Sequence, residues 1–380
     1  MLLDLTGALA VAVWLYLLLA RGGFWRMRDA PPEGALPGKA PAIVAVIPAR
    51  NEADVVGRAL ASLASQQYSG DFHIVLVDDG SADGTAAAAR AAGRPEALTV
   101  ISGAPLPAGW TGKLWAVAQG IRQAMRFQPD YLLLTDADIL HPVTNLAGLA
   151  ARAESGGYDL VSYMATLECR TLPERTLIPA FVFFFFMLYP PAWIRSSRRQ
   201  TAGAAGGCIL IRRRALERIG GLEAIRGELI DDCALAAAVK RNGGRVWLGL
   251  SAATRSLRPY ETFGEIGRMI SRTAFTQLRC SAALLAGTVL GLAVTYLAPL
   301  VLVFGGRVGT LPRFLGAGAW LLMSIAYFPA LRFYRRSPLW APLLPLAAAF
   351  YLGATVHSAF AYWRGAGGMW KGRTQASAGR

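Results

Sequence analysis

Acidic residues stand at three places in this 380-residue chain where they could bind a cation or accept a proton. Asp136 and Asp138 lie two residues apart directly after the apolar run Tyr131–Thr135, which predicts a buried strand. Their hard oxygens suit Mg²⁺ or Mn²⁺, either of which could bridge the oxygens of a diphosphate. Taken alone, two acids after a strand could equally form an ordinary acidic turn.

A second acidic pair closes an earlier predicted strand. Asp78 is the last residue of the run His73–Asp78, and Asp79 follows it directly. A carboxylate at this strand end could accept hydrogen bonds from a nucleobase or a ribose hydroxyl. The same segment could begin a helix, with Ser81 as its cap and Asp83 in its first turn. Both roles could hold at once.

The first predicted strand also ends in polar side chains, because Pro48, Arg50 and Glu52 follow the β-branched run Ile43–Ile47. Strands that alternate with helices between residues 43 and 138 predict a parallel sheet. Ligands of such sheets bind beyond the carboxyl ends of the strands. The side chains at the three strand ends are therefore expected to share one cleft.

A lysine opens the predicted helix Lys113–Phe127, where the helix dipole disfavours a positive charge. An anionic ligand at this helix start would explain Lys113. The alternative is an exposed lysine with its ammonium group in water. The segment is not a P-loop, because Pro107 stands where that motif has its first glycine, five residues before Gly112.

Two adjacent acids, Asp231 and Asp232, precede the helical pattern Ala234–Lys240. They could cap that helix, or one of them could act as a general base that deprotonates an acceptor hydroxyl. The pair Gly206-Gly207 fits a loop where the backbone approaches a ligand closely.

The composition favours a membrane partner over nucleic acid. Hydrophobic residues make up 54% of the chain and charged residues 17%, with a net charge of +15. The arginines stand mostly beside apolar runs, and no zinc-finger, RNA-binding or basic-zipper signature occurs. The four cysteines and three histidines lack the spacing of a zinc site, and the histidines give no support to a Ser-His-Asp triad.

Five apolar segments account for the excess of hydrophobic residues. Residues 2–20 predict a retained anchor, because no basic region precedes them and no cleavage site precedes Arg21. Residues 178–194 are short and aromatic, which favours an interfacial helix over a buried core helix. The other segments, each long enough to span a bilayer with some tilt, are 282–304, 314–331 and 339–363.

The distribution of basic residues predicts the orientation in the membrane. Positive charge follows the first apolar segment, which places residues 21 onward in the cytoplasm, with a linker at 29–42. The loop with Arg332, Arg335 and Arg336 would then face the cytoplasm. The tail with Arg364, Lys371, Arg373 and Arg380 would then lie outside the cytoplasm, contrary to the rule that positively charged loops face the cytoplasm. It therefore stays open that one apolar segment is re-entrant or interfacial.

These motifs, in their order along the chain, resemble those of family 2 glycosyltransferases over roughly residues 42–265. With Trp110–Trp115 and the three C-terminal apolar segments, the chain resembles the hopene-associated glycosyltransferases of bacterial hopanoid gene clusters. The resemblance implies an α/β GT-A fold, the nucleotide-diphospho-sugar transferase type with a Rossmann-like, mostly parallel sheet, and transmembrane helices at both ends.

The resemblance also implies a role for each matching acid. Asp79, beside Asp78, would bind uracil or ribose. Asp136 and Asp138 would hold Mg²⁺ or Mn²⁺, with Asp138 the more direct ligand. The catalytic base would be Asp232, which Asp231 precedes where the family often has Glu.

Further donor-binding residues follow from the same resemblance: Pro48, Arg50, Glu52, Lys113, Gly207 and Arg272. Processive and ceramide-type members of the family carry a Q/R-x-x-R-W motif. The corresponding segment of this chain is Met269–Thr273, in which only Arg272 matches the motif. This departure argues against processive polymer synthesis. Arg272, Arg268 and Arg258 are all candidates for holding the leaving diphosphate.

The chain is thus expected to contain a transmembrane anchor at 1–22, a GT-A catalytic domain at 40–265 and transmembrane helices within 282–363. The expected activity is that of an inverting hexosyltransferase at the inner membrane, with its catalytic domain in the cytoplasm. It would move sugar from a nucleotide-diphosphate donor, foremost a UDP-sugar, to a membrane lipid, with hopanoid-related lipids as one candidate. The alternatives are a metal-dependent nucleotidyl or phosphoryl transferase acting on a lipid, and a non-catalytic membrane scaffold with this fold.

Overall fold

The computed structural model describes residues 1–31, 36, 38–92, 96–365, 367, 369–370 and 373–374. The predicted linker 29–42 lies partly outside the described residues, and Lys371 and Arg380 of the basic tail lie wholly outside them. The chain divides into two compact units, each assembled from separate stretches. The helical unit comprises Met1–Arg28, Cys169–Ala192 and Tyr260–Gly367, and the sheet unit comprises Asp29–Glu168, Trp193–Pro259 and the described residues after 368.

The strands and helices of the described residues have the following bounds. The strands are β1 Ile43–Ala49, β2 Phe72–Asp78, β3 Leu98–Ser102, β4 Tyr131–Leu134, β5 Ile139–Leu140, β6 Leu160–Thr166, β7 Ile209–Arg212, β8 Val246–Ser256, β9 Met369–Trp370 and β10 Arg373–Thr374. The α-helices are α1 Leu2–Leu19, α2 Val56–Ala64, α3 Thr85–Ala92, α4 Gly112–Ala124, α5 Asn145–Gly156, α6 Leu172–Leu188, α7 Pro191–Arg195, α8 Arg213–Arg218, α9 Asp231–Arg241, α10 Phe263–Ser271, α11 Ala274–Gln277, α12 Ala282–Leu292, α13 Ala298–Phe304, α14 Thr310–Phe333 and α15 Leu344–Trp363.

The main sheet of the sheet unit has the strand order β3-β2-β1-β4-β7-β6-β8-β5. The pairs β1/β2, β1/β4, β2/β3 and β6/β8 are parallel, whereas β7 runs antiparallel to β4 and β6, and β5 antiparallel to β8. Every residue of β1 is buried, as expected for a central strand that is covered on both faces. The mixed, mostly parallel sheet agrees with the predicted fold class.

The hydrophobic core of the sheet unit forms where the predicted helix patterns meet the strands. Helix α2 buries Val56, Ala59, Leu60 and Leu63, which recur at helical spacing. Gly120 in α4 allows close packing on the sheet, since a Cβ there would lie 2.5 Å from Val46. The strands β2, β1 and β4 therefore carry their carboxyl ends to one edge of the sheet.

In the helical unit, α1 packs against α14 and α13. A Cβ at Gly7 would lie 2.8 Å from the Leu315 Cβ, so glycine permits the close approach of α1 and α14. The indole of Trp14 donates to the Thr295 carbonyl at 2.9 Å and contacts Tyr296 edge-on. These contacts satisfy the polar atom of Trp14 inside an apolar bundle.

Among the described residues, five helical segments are long and apolar enough to cross a membrane. They are Leu2–Leu19, Leu172–Arg195, Ala282–Phe304, Thr310–Phe333 and Pro338–Trp363. The second of them corrects the estimate that residues 178–194 are too short, because α6 starts at Leu172 with a capping box of Thr171 and Glu174. Its interfacial placement stays a prediction.

Candidate active site

A cluster of four charged side chains lies at the edge where β4 ends and α4 and α9 begin. The Lys113 ammonium group lies 2.9 Å from Asp136 Oδ1 and 3.2 Å from Asp231 Oδ2. Lys113 is the second residue of α4, and Asp231 and Asp232 form the first turn of α9. Lys113 is therefore paired with carboxylates of the protein itself, and the anionic ligand predicted at this helix start stays a prediction.

Asp232 is held by two backbone amides, one on each carboxylate oxygen. Gly206 N–H donates to Oδ2 at 2.8 Å and Cys233 N–H donates to Oδ1 at 2.7 Å. A Cβ on Gly206 would lie 3.2 Å from the Lys113 Nζ and 3.4 Å from Asp232 Oδ2. Glycine at 206 therefore lets the loop backbone lie against the charged cluster. Asp232 does not cap α9, because the cap position is Ile230 and has no side-chain cap bond.

The charges in this cluster shift one another's protonation. Burial, reinforced by the neighbouring Asp231, raises the pKa of Asp232 to about 6, although Lys113 and the two amides oppose the rise. Burial also raises the pKa of Asp136. Burial would lower the pKa of Lys113, but the carboxylates of Asp136 and Asp231 outweigh it and raise that pKa. The pKa of Asp232 thus lies above the range of an ordinary aspartate.

The second acid of the Asp136-Ala137-Asp138 motif has a different cation. Arg258 Nε lies 3.1 Å from Asp138 Oδ2, and Ser256 Oγ donates to the same oxygen at 3.2 Å. The guanidinium also donates from Nη2 to both carboxylate oxygens of Glu52, at 2.7 and 2.8 Å. Arg258 thereby connects the end of β1 with the acidic motif after β4. The sequence predicted Arg258 only as one of three candidate cations for holding the leaving diphosphate.

Replacing Arg258 with methionine is expected to lower the free energy of unfolding by about 1–3 kcal/mol, because the buried carboxylates of Glu52 and Asp138 lose the hydrogen bonds from their shared cation. Methionine keeps much of the aliphatic length. Denaturant unfolding of the detergent-solubilised protein measures the change. The exposed neighbour Arg255, changed to methionine, serves as the control. Equal stability of both variants would contradict the structural role of this triad.

The residues predicted to bind the nucleotide lie at the ends of β1 and β2. Arg50 donates to the Asp79 carbonyl, and its Nη1 lies 3.7 Å from Asp79 Oδ2. Asp78 Oδ1 accepts from the Ser81 amide at 3.2 Å. Asp79 is buried, with 1% of its surface exposed. These contacts join the two strand ends that the sequence predicted to meet.

The predicted helix cap at Ser81 is wrong. Helix α3 begins four residues later, at Thr85, and Asp83 Oδ1 accepts from the Thr85 amide at 3.0 Å. The Ser81 hydroxyl instead accepts from the Asn51 amide at 2.9 Å. Asn51 has φ 51°, a left-handed conformation that asparagine tolerates, and no local pattern in the residues predicted this turn.

A small open cleft brings part of the predicted set together. Its charged end contains Lys113, Asp136, Asp231 and Asp232. The rest of its lining is largely apolar and comprises Pro48, Leu114, Val117, Leu134, Thr135, Gly206, Ile209, Leu222, Ile225 and Leu235. We call it the acidic cleft.

The remaining predicted site residues lie outside the lining of the acidic cleft. Arg50, Glu52, Asp78, Asp79 and Asp138 lie along the ends of β1, β2 and β4. Gly207 packs closely against Ile139 instead, since a Cβ at this position would lie 3.0 Å from the Ile139 side chain. Arg272 belongs to the helical unit, at the C-terminal end of α10.

The carboxylates at the end of β4 suit a divalent cation that arrives with a diphosphate. Asp136 and Asp138 supply hard oxygens, and the charge of Asp138 contributes to the raised pKa of Asp136. No three His, Cys, Asp or Glu side chains gather around one point in the described part of the chain. Mg²⁺ is often held by one or two carboxylates plus substrate phosphates, so a two-carboxylate site fits this chemistry.

Comparison with known proteins supports the sequence-based interpretation. Residues 44–220 match the family model for glycosyl transferase family 2. The match covers just under half of the chain and includes Asp79, Lys113, Asp136 and Gly207. Asp231, Asp232 and Arg272 lie beyond its end.

One curated relative and one solved structure extend the comparison. The uncharacterized protein MJ1222 of Methanocaldococcus jannaschii is 30% identical over 136 residues, which are 36% of this chain, and the chain spans about half of that relative's length (51%). The mannosyltransferase PcManGT from Pyrobaculum calidifontis, solved with GDP-Man and Mn²⁺, aligns with a TM-score of 0.59 at 20% identity, covering 94% of this chain and 98% of that one. At this identity the likeness shows the fold alone, and it agrees with the predicted GT-A class.

Proposed function

We propose that this protein is an inverting glycosyltransferase that moves a sugar from a nucleotide-diphosphate donor to a membrane lipid. The family match over residues 44–220 and the GT-A fold support glycosyl transfer. The observation that carries the proposal is the Lys113 bridge between Asp136 and Asp231, because Asp136 of the predicted metal motif and Asp232, the predicted base beside Asp231, line the same cleft.

In this proposal the charged residues of the acidic cleft and Asp138, which lies outside its lining, have distinct tasks. Asp232, with a pKa of about 6, accepts the proton of the acceptor hydroxyl as that oxygen attacks the anomeric carbon. The amides of Gly206 and Cys233 orient its carboxylate. Asp136 and Asp138 would hold Mg²⁺ or Mn²⁺, which when bound neutralises charge on the departing diphosphate. Lys113 adds a fixed positive charge beside Asp136.

The membrane-spanning capacity of the chain supports a lipid as acceptor. Five described helices are long and apolar enough to cross a bilayer. We therefore place the protein in the inner membrane with the sheet unit in the cytoplasm, and propose a membrane lipid, with hopanoid-related lipids among the candidates. The proposed anchor, catalytic domain and C-terminal helices are residues 1–22, 40–265 and 282–363.

The pairing of strands restricts how Leu172–Arg195 can meet the membrane. Strand β6 precedes this segment and β7 follows it, yet the two strands pair, with Leu160 opposite Ile211. Paired strands must lie on the same side of a bilayer, because an open sheet does not continue through hydrocarbon. We infer that this helix enters and leaves on one side, as an interfacial or re-entrant segment.

Single cysteines at Asp54 and Ser197, placed before and after this helix in a cysteine-free background, are expected to react with an impermeant maleimide from the same side. Both positions are exposed, so accessibility depends on the membrane alone. A cysteine at the exposed Arg307, between α13 and α14, is expected to react from the opposite side. Labelling of positions 54 and 197 from opposite sides would contradict the inference.

A panel of donors and acceptors tests the proposed activity. Purified protein is incubated with Mn²⁺ or Mg²⁺, extracted membrane lipids and either UDP-sugars or GDP-mannose, the donor named for the Pyrobaculum enzyme. The proposal expects one sugar to appear in a lipid product, with UDP-sugars preferred, and the nucleoside diphosphate to be released. A lipid carrying nucleotide or phosphate instead would identify a nucleotidyl or phosphoryl transferase. Absence of both products and of nucleotide binding would indicate a scaffold.

A further inference from the structure

A chain of buried side-chain hydrogen bonds runs from the core of the sheet unit to the loop that holds Asp232. The Ser251 hydroxyl donates to Thr254 Oγ1 at 3.1 Å, and Thr254 Oγ1 donates to Asn145 Oδ1 at 3.2 Å. Asn145 Nδ2 lies 2.9 Å from His141 Nδ1, and His141 Nε2 lies 3.0 Å from Thr135 Oγ1. The Thr135 hydroxyl then donates to the Gly207 carbonyl at 2.7 Å.

The direction of these hydrogen bonds is determined by donor and acceptor chemistry. Because the Asn145 amide group donates to Nδ1, the proton of a neutral His141 ring is on Nε2 and is donated to Thr135. Thr135 then has its own proton free for the Gly207 carbonyl. His141 is buried, and burial lowers its pKa to about 4, so the ring stays neutral near pH 7.

Ser162 also binds the loop at the end of this series of hydrogen bonds. Ser162 Oγ accepts from the Ala205 amide at 2.9 Å and donates to the Ala205 carbonyl at 3.2 Å. Gly206 lies between the two fixed points, and its amide binds Asp232 Oδ2 at 2.8 Å. Glycine has the largest backbone freedom, so a Gly206-Gly207 pair without these bonds would not keep that amide in place.

We propose that Thr135 is a positioning residue for Asp232, acting through its hydrogen bond to the Gly207 carbonyl. The inference rests on the proposed role of Asp232 as base. The bond fixes the backbone of the loop, the Gly206 amide binds one carboxylate oxygen, and Asp232 keeps one orientation towards the acceptor hydroxyl. Donor binding depends on other residues, so the effect falls on turnover and leaves the donor KM unchanged.

The test compares two substitutions at one position. Thr135→Val keeps the shape and removes the hydroxyl, whereas Thr135→Ser keeps the hydroxyl. The valine variant is expected to lose about 10- to 100-fold in kcat with its donor KM within twofold, because a small misplacement of a reacting group is costly. The serine variant is expected to retain kcat within about threefold.

Thr176→Val is the matched control, because the Thr176 hydroxyl also donates to a backbone carbonyl, that of Pro173, at 2.9 Å, and Thr176 belongs to the helical unit and not to this hydrogen-bond chain. It is expected to leave kcat within about twofold. If the Thr135→Val protein does not fold, Thr135→Ala, which also removes the hydroxyl, is judged by the same criteria against Thr135→Ser.

The proposal is overturned if the valine variant keeps its kcat, if serine loses as much as valine, or if the donor KM rises in place of the fall in kcat. These results are separable from failure of the proposed function, which Asp232→Asn tests directly.

Discussion

Asp232→Asn is expected to reduce sugar transfer by at least about 10³-fold while nucleotide binding survives. The asparagine keeps the size of the side chain but cannot accept the acceptor proton, and general-base catalysis typically contributes about 10²–10⁴-fold. The half-buried carboxylate lines the acidic cleft, with both oxygens already oriented by backbone amides. Turnover of labelled donor measures the first effect, and calorimetric binding of UDP with Mn²⁺ measures the second.

Asp54→Asn provides the control for this substitution, because Asp54 is an exposed acid of the same sheet unit. It is expected to leave transfer within about twofold. Substantial turnover by Asp232→Asn would remove Asp232 as the base, whereas loss of UDP binding would show that the residue holds the nucleotide.

The pH profile of the native enzyme gives an independent check on the same residue. Because burial and Asp231 raise the pKa of Asp232 to about 6, its carboxylate is protonated and inactive below that pH. Transfer is expected to fall about tenfold per pH unit below pH 6 and to level off above it. An acid limb centred near pH 4, the range of an ordinary aspartate, would contradict this assignment.

Asp138→Asn is expected to have the second largest effect, a loss of about 10²–10³-fold in transfer. The substitution removes a carboxylate charge from the predicted metal site, where hard anionic oxygens bind Mg²⁺ or Mn²⁺. It also leaves Arg258 without its ion pair to that residue. The Mn²⁺ concentration needed for half-maximal UDP binding is expected to rise at least about tenfold.

The control for Asp138→Asn is Asp71→Asn, an exposed acid directly before β2, for which neither quantity should change. Chelation by EDTA should abolish transfer by the native enzyme, and added Mn²⁺ or Mg²⁺ should restore it. If Asp138→Asn keeps its metal dependence unchanged, Asp136 and the donor phosphates alone hold the ion.

The strands and the meeting of their carboxyl ends could be predicted from sequence because the signal is local. The apolar β-branched run of β1 ends in polar residues, and β2 spans Phe72–Asp78, one residue longer than the predicted run His73–Asp78. Alternation with helices then requires parallel pairing, which brings these strand ends to one edge. The approach of α9, 95 positions after Asp136, followed from the family resemblance and from no local pattern.

Contacts that depend on the folded chain were beyond the sequence. Arg258 binds Glu52, 206 positions earlier, and nothing in the residues around Arg258 distinguishes it from the many other arginines. The hydrogen bonds of Thr135 and His141 could not be predicted either, because they depend on Gly207 and Asn145. In the sequence, Thr135 is the end of a predicted strand and His141 an isolated histidine. Likewise, the prediction that Ser81 caps a helix is wrong because its hydroxyl accepts a hydrogen bond from the Asn51 amide instead.

A UDP-sugar labelled in both the sugar and the β-phosphate distinguishes glycosyl transfer from phosphoryl transfer in one experiment. Native protein and Asp232→Asn are incubated with membrane lipids, Mn²⁺ and this donor. For the native protein we expect sugar label without phosphate label in the lipid fraction and loss of that label on chelation, and for Asp232→Asn we expect no label in the lipid. Phosphate label in the lipid, or equal sugar transfer by Asp232→Asn, would rule out glycosyl transfer with Asp232 as the base.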